Sequence, residues 1–514
     1  MYTEEKMTVS KFLASYVAKF SVILFLGIGL YFYFIFRTFD MFPLIWNVYV
    51  LAAVLVVTFI LALLCFLPKV PKTVKIVTMV FAILFSGGLG YASWYLPHVR
   101  SQIEKAFAEV PMVGEAEINF YVLKNEYKTE STGVATPIHL EDYKDKKFIL
   151  QQSTDLENQD YAMLVANREL YSDGVQTVAV ESIFDAVDAL YAQSGDVMVL
   201  NTSYIPMIED ITGYEDFLDR VEVVYTVYKK LQLSNEADKV DVTTKPFNIM
   251  IIGNDKWCDD VLTTGRTDVN MIASVNPVTK QISFISIPRD AYVPNACLYN
   301  NYDKLTHAGV YGIKCTEETL ENYLDIDINY YVVVNFSSLV KIVDALGGVD
   351  IDNPYAFTTN STTTFKGTFE EGSIHLDGNK TLAYVRERKS LENGDYARGE
   401  HQTIVIKALL EKLTEASVVT RIDKLLDSLN GTFATNISMD EIYALAQMQL
   451  DDMAMWNVNM YALTGTSGFE VVASLDAANT YSVVYLKKQQ INYVRDIIQQ
   501  ITNGEILEQG KLPE

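Results

Sequence analysis

The chain has 514 residues, a formal net charge of −24 at pH 7, 49% apolar and 21% charged residues. So acidic a balance argues against a nucleic-acid partner, because the summed field repels a phosphate backbone. Its five histidines argue against a metal held by imidazoles, whereas a hard cation on carboxylates remains open.

Three apolar runs open the chain, from Phe20 to Phe36, Leu44 to Leu67 and Ile76 to Leu96. Each is long enough to cross the hydrocarbon core of a bilayer, so a membrane protein is expected. No small-residue cleavage site follows the first run, which separates it from a signal peptide. Lys6, Lys11 and Lys19 precede the first run and Lys69, Lys72 and Lys75 lie between the second and third, while Arg37 and Asp40 lie between the first and second. The positive-inside rule therefore places the N-terminus in the cytoplasm and everything after about residue 97 outside. Trp46, Tyr91, Trp94 and Tyr95 sit near the ends of the runs, where they are either headgroup anchors or plain apolar filling.

The remaining segment, roughly 400 residues, is expected to form two globular domains. From Val99 to Val240 helix-like and strand-like patterns alternate. Val180 to Gln193 has helical apolar spacing, Asp196 to Leu200 reads as a strand, and a second such unit lies between Tyr214 and Tyr228. Ser234 to Lys245 reads as a linker. Beyond it, Phe247 to Gly253, Val269 to Val275, Gln281 to Ile287 and Asn329 to Phe336 read as strands. An amphipathic helix, Ser337 to Leu346, follows the last and stops at Gly347 and Gly348. A helix from Ala397 to Leu413 closes the block. The organisation expected is 1–98 for a cytoplasmic N-terminus and three transmembrane helices, 99–240 for an extracellular accessory α/β domain, and 246–514 for an extracellular catalytic domain. Helix after strand indicates a layered α/β/α arrangement around a central mixed sheet. Of the four cysteines, Cys65 lies in the second span, and Cys297 and Cys315 could close a bridge around the segment DKLTHAG.

Only eleven arginines occur, and Arg266, Arg289, Arg386, Arg388 and Arg398 fall in a few short blocks. A guanidinium recognises phosphate oxygens bidentately, so the gathering points to a phosphorylated ligand. For any one of them the alternative is a structural salt bridge with a neighbour such as Glu387, Asp395 or Glu400. Arg398 and Gln402 are four apart on a helix and share a face. Arg386 and Arg388 are two apart, so they cooperate only on an extended segment or a frayed helix end.

The ordered blocks GRTDVNM (from Gly265), ISIPRDAYVP (from Ile285), DKLTHAGVYG (from Asp303), DINYYVVVNF (from Asp327), DALGGVDI (from Asp344) and AYVRERKSLENGDYARGEHQ (from Ala383) resemble the LytR-CpsA-Psr (LCP) family of cell-wall glycan transferases. The three spans and the extra α/β domain are similar to its capsule-associated CpsA branch. The resemblance implies a magnesium-dependent phosphotransferase, with manganese as the substitute ion, in the membrane of a Gram-positive bacterium. It would move a phosphoglycan, capsular or another secondary wall polymer, from a polyprenyl pyrophosphate carrier to a peptidoglycan sugar hydroxyl. Membrane proteins of capsule synthesis are the further partners implied. By the same resemblance Asp255 and Asp268 would hold the metal, while Arg289, Arg386, Arg388, Arg398 and Gln402 would grip the phosphates. Arg266 and Lys304 would assist in binding. Asp290 would either orient Arg289 or act as a base, and His307 would satisfy a local hydrogen bond. Two departures stand out: His401 occupies the place before the clamp Gln where the family often has Arg, and Trp257 and Cys258 interrupt the segment after Asp255, so Asp259 or Asp260 could replace that ligand. A pyrophosphatase on the same carrier and a non-catalytic regulator of capsule synthesis are the competing functions.

Overall fold

The computed structural model describes residues 16–39, 42, 44–108, 113–128, 139–171, 174–232, 239–254, 264–359, 365–391, 394–414, 424–425, 428, 433–452, 454–475, 479–508, 510 and 512–513. The chain divides into two compact units, Met1–Ala108 with Ser438–Met455, and Glu109–Ile437 with Trp456–Glu514.

The first unit is built on three helices, Ala18–Phe39, Leu44–Phe66 and Lys72–Ala108, each long and apolar enough to span a membrane. They pack through Val22, Phe25, Leu61, Cys65 and Met79. Gly29 permits the close approach, since an added Cβ would stand 2.7 Å from Val54 Cγ1. The remaining faces stay apolar and exposed, at Phe59, Leu84 and Trp94 for example, which is the surface a lipid solvent requires. The domain boundary expected at residue 98 falls inside the third helix. Pro97 lies within that helix, and beyond it Arg100 pairs with Glu104 one turn on and donates through Nη1 to the Thr38 carbonyl at 2.7 Å. The helix Met439–Asp452 also belongs to this unit, so it interrupts the segment 246–514 that the sequence reading had treated as one domain.

The second unit contains two mixed sheets. Strands β1 (Val113–Leu123), β2 (Lys147–Gln151), β3 (Gln176–Val180), β4 (Val197–Asn201) and β5 (Val221–Gln232) form the first, in the order β3-β2-β4-β1-β5. β2 runs parallel to both its neighbours, while β1 is antiparallel to β4 and β5. Every residue of β4 is buried, as expected where helices cover both faces of a sheet. The helix Ile183–Tyr191 covers one face and begins at a capping box, Ser182 and Asp185 each bonding the other's backbone N–H. The helical pattern over Val180 to Gln193 thus resolves into the end of β3 and this shorter helix. Leu156–Glu169 covers the other face, over Phe120, Phe148 and Val199.

The second sheet takes β6 (Phe247–Asn254), β7 (Thr267–Asn276), β8 (Gln281–Ile287), β9 (Tyr330–Asn335), β10 (Phe433–Thr435) and β11 (Asn457–Ala462), in the order β10-β9-β6-β7-β8-β11. β6–β7 and β7–β8 are antiparallel hairpin-type pairs, and β9 and β11 add in parallel to β6 and β8. Alternate residues serve opposite faces. Met250 and Ile252 join the core under the helix Lys488–Thr502, whereas Ile249 and Ile251 lie beside Ile406 of the helix Asp395–Thr414. The helix Phe336–Leu346 starts at a capping box of Asn335 and Ser338 and stops at Gly347, whose φ of 81° is left-handed. The bridge Cys297–Cys315 is formed, with Cα atoms 5.8 Å apart, and Cys65 is free and buried.

The two sheet regions meet through a shared apolar cluster, in which Tyr204, Met207 and Phe217 join Val310, Val472 and Val483, and through polar contacts. Ser203 Oγ donates to the Thr264 carbonyl at 2.9 Å, and Tyr204 and Tyr311 join their hydroxyls at 3.0 Å. Of the expected linker, only 239–245 lies among the described residues.

Candidate active site

A cavity of about 1090 Å³ opens along the C-terminal half of β6 and β9, the start of β7 and the helices Phe336–Leu346, Gly378–Arg386 and Asp395–Thr414. It is lined by Arg266, Arg289, Arg386, Arg388, Arg398 and Lys304, by Asp268 and Asp290, and by Gln402. All these residues were named from sequence, and the fold brings them to one place. Asp255, and with it Asp259 and Asp260, lies outside the described residues.

Each basic group is held by an identifiable local feature. Arg266 follows Gly265, whose N–H donates to the Gly309 carbonyl at 3.2 Å. Gly309 must be glycine there, because an added Cβ would come within 2.4 Å of the Gly265 carbonyl oxygen. Arg289 follows β8, and its carbonyl accepts from Thr306 N–H at 2.9 Å, which ties it to the segment carrying Lys304. Arg386 is the last residue of its helix, after which Glu387 is extended with ψ 134°. That break is what allows Arg386 and Arg388 to serve one cavity although two apart. Glu387 is 2% exposed, and its carboxylate accepts from the backbone N–H of Arg388 and Ser390, so it shapes the turn. Arg398 and Gln402, 7% and 9% exposed, occupy successive turns of one helix.

The electrostatics couple the two signs. Arg289 Nη1 donates to Asp268 Oδ1 at 2.6 Å. Burial acts to raise the Asp268 carboxyl, but the guanidiniums of Arg289, Arg398 and Arg266 outweigh it and hold it at about 2. Asp290 stands 3.8 Å from Arg289 Nε and 3.4 Å from Lys304 Nζ. Against the opposing effect of burial, Arg289 and Lys304 lower its carboxyl too, so both acids are ionised and neither is a ready proton acceptor. Asp290 thereby bridges Arg289 to Lys304, the orienting role. The other end of the cavity is apolar, with Ile251, Val334, Leu339, Ile342 and Val405. Phe336 marks the border: the Arg386 guanidinium lies 4.1 Å from its ring centroid.

His401 departs from the sequence expectation, His307 meets it, and Asp210 is a cavity residue that the sequence did not signal. His401 is fully buried and stacks on Tyr384 with centroids 4.0 Å apart. Its Nδ1 faces the Tyr384 carbonyl at 3.0 Å, and burial pushes the ring down to about 4, so it is neutral packing and not a phosphate contact. His307 Nδ1 lies 2.8 Å from both Asp303 Oδ1 and Ser474 Oγ, the local role expected of it. Asp210, from the first sheet region, lines the cavity and pairs with Arg266. Nothing in its sequence neighbourhood signalled this.

The LytR-CpsA-Psr family model matches residues 220–499. The chain belongs to that family. Among its relatives, a polyisoprenyl-teichoic acid–peptidoglycan teichoic acid transferase TagU of Enterococcus faecalis is 31% identical over 254 residues, spanning 49% of this chain and 80% of the relative. TagV of Bacillus subtilis, named for the same transfer, is 31% identical over 315 residues, 58% of this chain and 79% of the relative. A crystal structure of B. subtilis TagV aligns with 28% identity and a TM-score of 0.43, covering 51% of this chain and 98% of that one.

Proposed function

We propose that the protein transfers a phosphoglycan from a polyprenyl pyrophosphate carrier to a sugar hydroxyl of peptidoglycan, as a capsule-associated member of the family with a layered α/β/α catalytic domain. The observation that carries this is one cavity with two ends: five arginines and Gln402 at one, an apolar lining at the other. A lipid pyrophosphate has the same two-part chemistry. The guanidiniums neutralise the phosphate oxygens, where charge builds as the bond to the bridging oxygen breaks.

Magnesium is compatible with the residues present. Among the described residues no group of three or more His, Cys, Asp or Glu could hold a metal, but magnesium commonly uses one or two carboxylates with phosphate oxygens and water completing its shell. Asp268, ionised and cavity-lining, is the described ligand, and Asp255 the expected second. When bound, the ion would supply further charge neutralisation at the phosphates. The proposed orientation has the N-terminus inside and both sheet regions outside. Cysteines placed at Thr73 and Ser194 in a chain stripped of native cysteine test it: an impermeant thiol reagent should label residue 194 and not 73.

The deciding experiment is Arg388→Lys, assayed with defined lipid-linked glycan and peptidoglycan. Lysine keeps the charge and loses the fork, so transfer should fall by a factor of roughly ten to a thousand, equivalent to one or two charge-assisted hydrogen bonds. Wild-type transfer by the folded variant would remove the phosphate assignment. Release of free glycan phosphate with no peptidoglycan adduct would favour the pyrophosphatase reading.

A further inference from the structure

A second cavity, of about 110 Å³, shares Asp268, Arg289, Arg398 and Gln402 with the large one. It is bounded on its own side by Ser286, Gly399, Glu400 and Thr464. The shared residues are the phosphate clamp, so a phosphate held there is approached from two directions. One is the large cavity, which extends into the apolar lining; the other is this small recess, where Ser286 and Thr464 stand among Ile287, Pro288, Ala462 and Leu463. Displacement at phosphorus requires the attacking and leaving oxygens to lie roughly in line, and two openings onto one clamp give the incoming and departing groups separate routes to it.

We infer that the small recess is the acceptor subsite, and that it receives a neutral sugar hydroxyl. This rests on the transfer reading above and locates the half of the reaction that reading leaves open. Asp268 and Glu400 line the recess together with Arg289 and Arg398, two charges of each sign, so the lining favours an uncharged acceptor that can exchange hydrogen bonds with it. The recess is built for a small group. Ser286 is 7% exposed at the end of β8, and its carbonyl accepts from Leu463 N–H at 2.9 Å, which fixes the opposite wall. Thr464 is locked by its N–H and hydroxyl to Gln490 Oε1 at 2.8 and 3.0 Å. At Gly399 an added Cβ would meet only Ser286 Oγ within 4 Å, at 3.7 Å. Glycine there is not demanded by backbone crowding, and its effect is to leave the recess open.

In the reaction, the acceptor oxygen forms a bond to the glycan-side phosphorus as that phosphorus loses its bond to the bridging oxygen. The bridging oxygen departs with the electron pair as polyprenyl phosphate. The hydroxyl proton leaves to solvent at the mouth of the recess, where Glu400 is exposed.

The test uses the full-length chain in detergent micelles, with a short-chain polyprenyl pyrophosphate as the probe of donor binding and a peptidoglycan disaccharide as the varied acceptor. Gly399→Leu should raise the acceptor KM at least tenfold while donor affinity stays within twofold, and Gly399→Ala, which adds one methyl, should raise it less. Glu400→Gln, an isosteric change at an exposed position, should raise the acceptor KM about threefold, again with donor affinity kept. Unchanged acceptor saturation in Gly399→Leu, or donor and acceptor affinities falling together in both variants, would overturn the subsite. A wild-type protein that binds donor and transfers nothing would instead overturn the proposed function, and the subsite with it.

Discussion

The two sheet regions of the second unit use the same materials to opposite ends. Each is a mixed sheet with helices against it, and each has strands buried on both faces. The five-stranded region closes over its core, and its cavity beside Asp155, Gln159 and Tyr204 is about 10 Å³, room for about one water. In the six-stranded region the helices Phe336–Leu346 and Asp395–Thr414 leave about 1090 Å³ between themselves and the sheet. The lesson is that layer architecture does not determine whether a domain holds a site. What differs is how the segments after the strands are used. β8 is followed by Arg289, β9 ends in the Asn335 cap, and the helix Gly378–Arg386 breaks to present Arg386 and Arg388.

The sharpest way to break that contrast is to attack the pair Asp268–Arg289. Asp268→Ala leaves Arg289, whose side chain is 13% exposed, without its close carboxylate. Breaking a buried pair by removing one partner costs about 3–5 kcal/mol of stability, and it also loosens Arg289 from its place in the clamp, so transfer by the folded protein should fall by about three orders of magnitude. Substantial activity in a steady-state transfer assay would contradict the site. A comparable energy spent in the other region should leave chemistry alone. Phe120 is fully buried against Phe148; Phe120→Ala should cost about 3–5 kcal/mol in urea unfolding, with transfer by the folded fraction unchanged.

His401 gives a smaller effect with a sign that can be checked. Its ring sits at about 4 in the folded protein and at about 6.5 when exposed to solvent. The neutral form is therefore favoured by folding. The stability it contributes is fully present above pH 6.5 and is lost as the pH falls toward 4, by at most about 3 kcal/mol. Replacing it by Asn should remove that slope from the difference between the two unfolding curves; identical slopes would show that the ring does not stay neutral. The smallest expected effect concerns the contact between the regions. The Asp210 side chain is 64% exposed, so its pair with Arg266 is worth up to about 1 kcal/mol. Asp210→Asn should shift the donor KM no more than about fivefold and leave kcat alone. A hundredfold loss in kcat would make the five-stranded region part of the chemistry and abolish the distinction drawn between them.

Much of this was legible in the chain. β6 to β9 were readable because apolar runs of four to eight residues lay between turn signals, and the Phe336–Leu346 helix because its stop at Gly347 is a local signal. The arginines were legible as a set, against so acidic a background. Three things were not. The helix Gly378–Arg386 hides in a segment of mixed polarity that its Asp377 cap alone announces. Asp210 and Arg266 are 56 residues apart, and no local pattern encodes such a meeting. His401 could not be told from a site residue, because burial under Tyr384 and Phe357 is a tertiary fact.

The contact of Arg386 with Phe336, where the charged and apolar ends of the cavity meet, has a kinetic consequence. On the proposed reaction the departing polyprenyl phosphate keeps its whole tail and one phosphate. It therefore retains a handle at each end of the cavity and loses only the glycan. Turnover is then governed by how fast the spent carrier escapes, and the protein behaves as an enzyme restrained by its own product until the surrounding bilayer draws that lipid away.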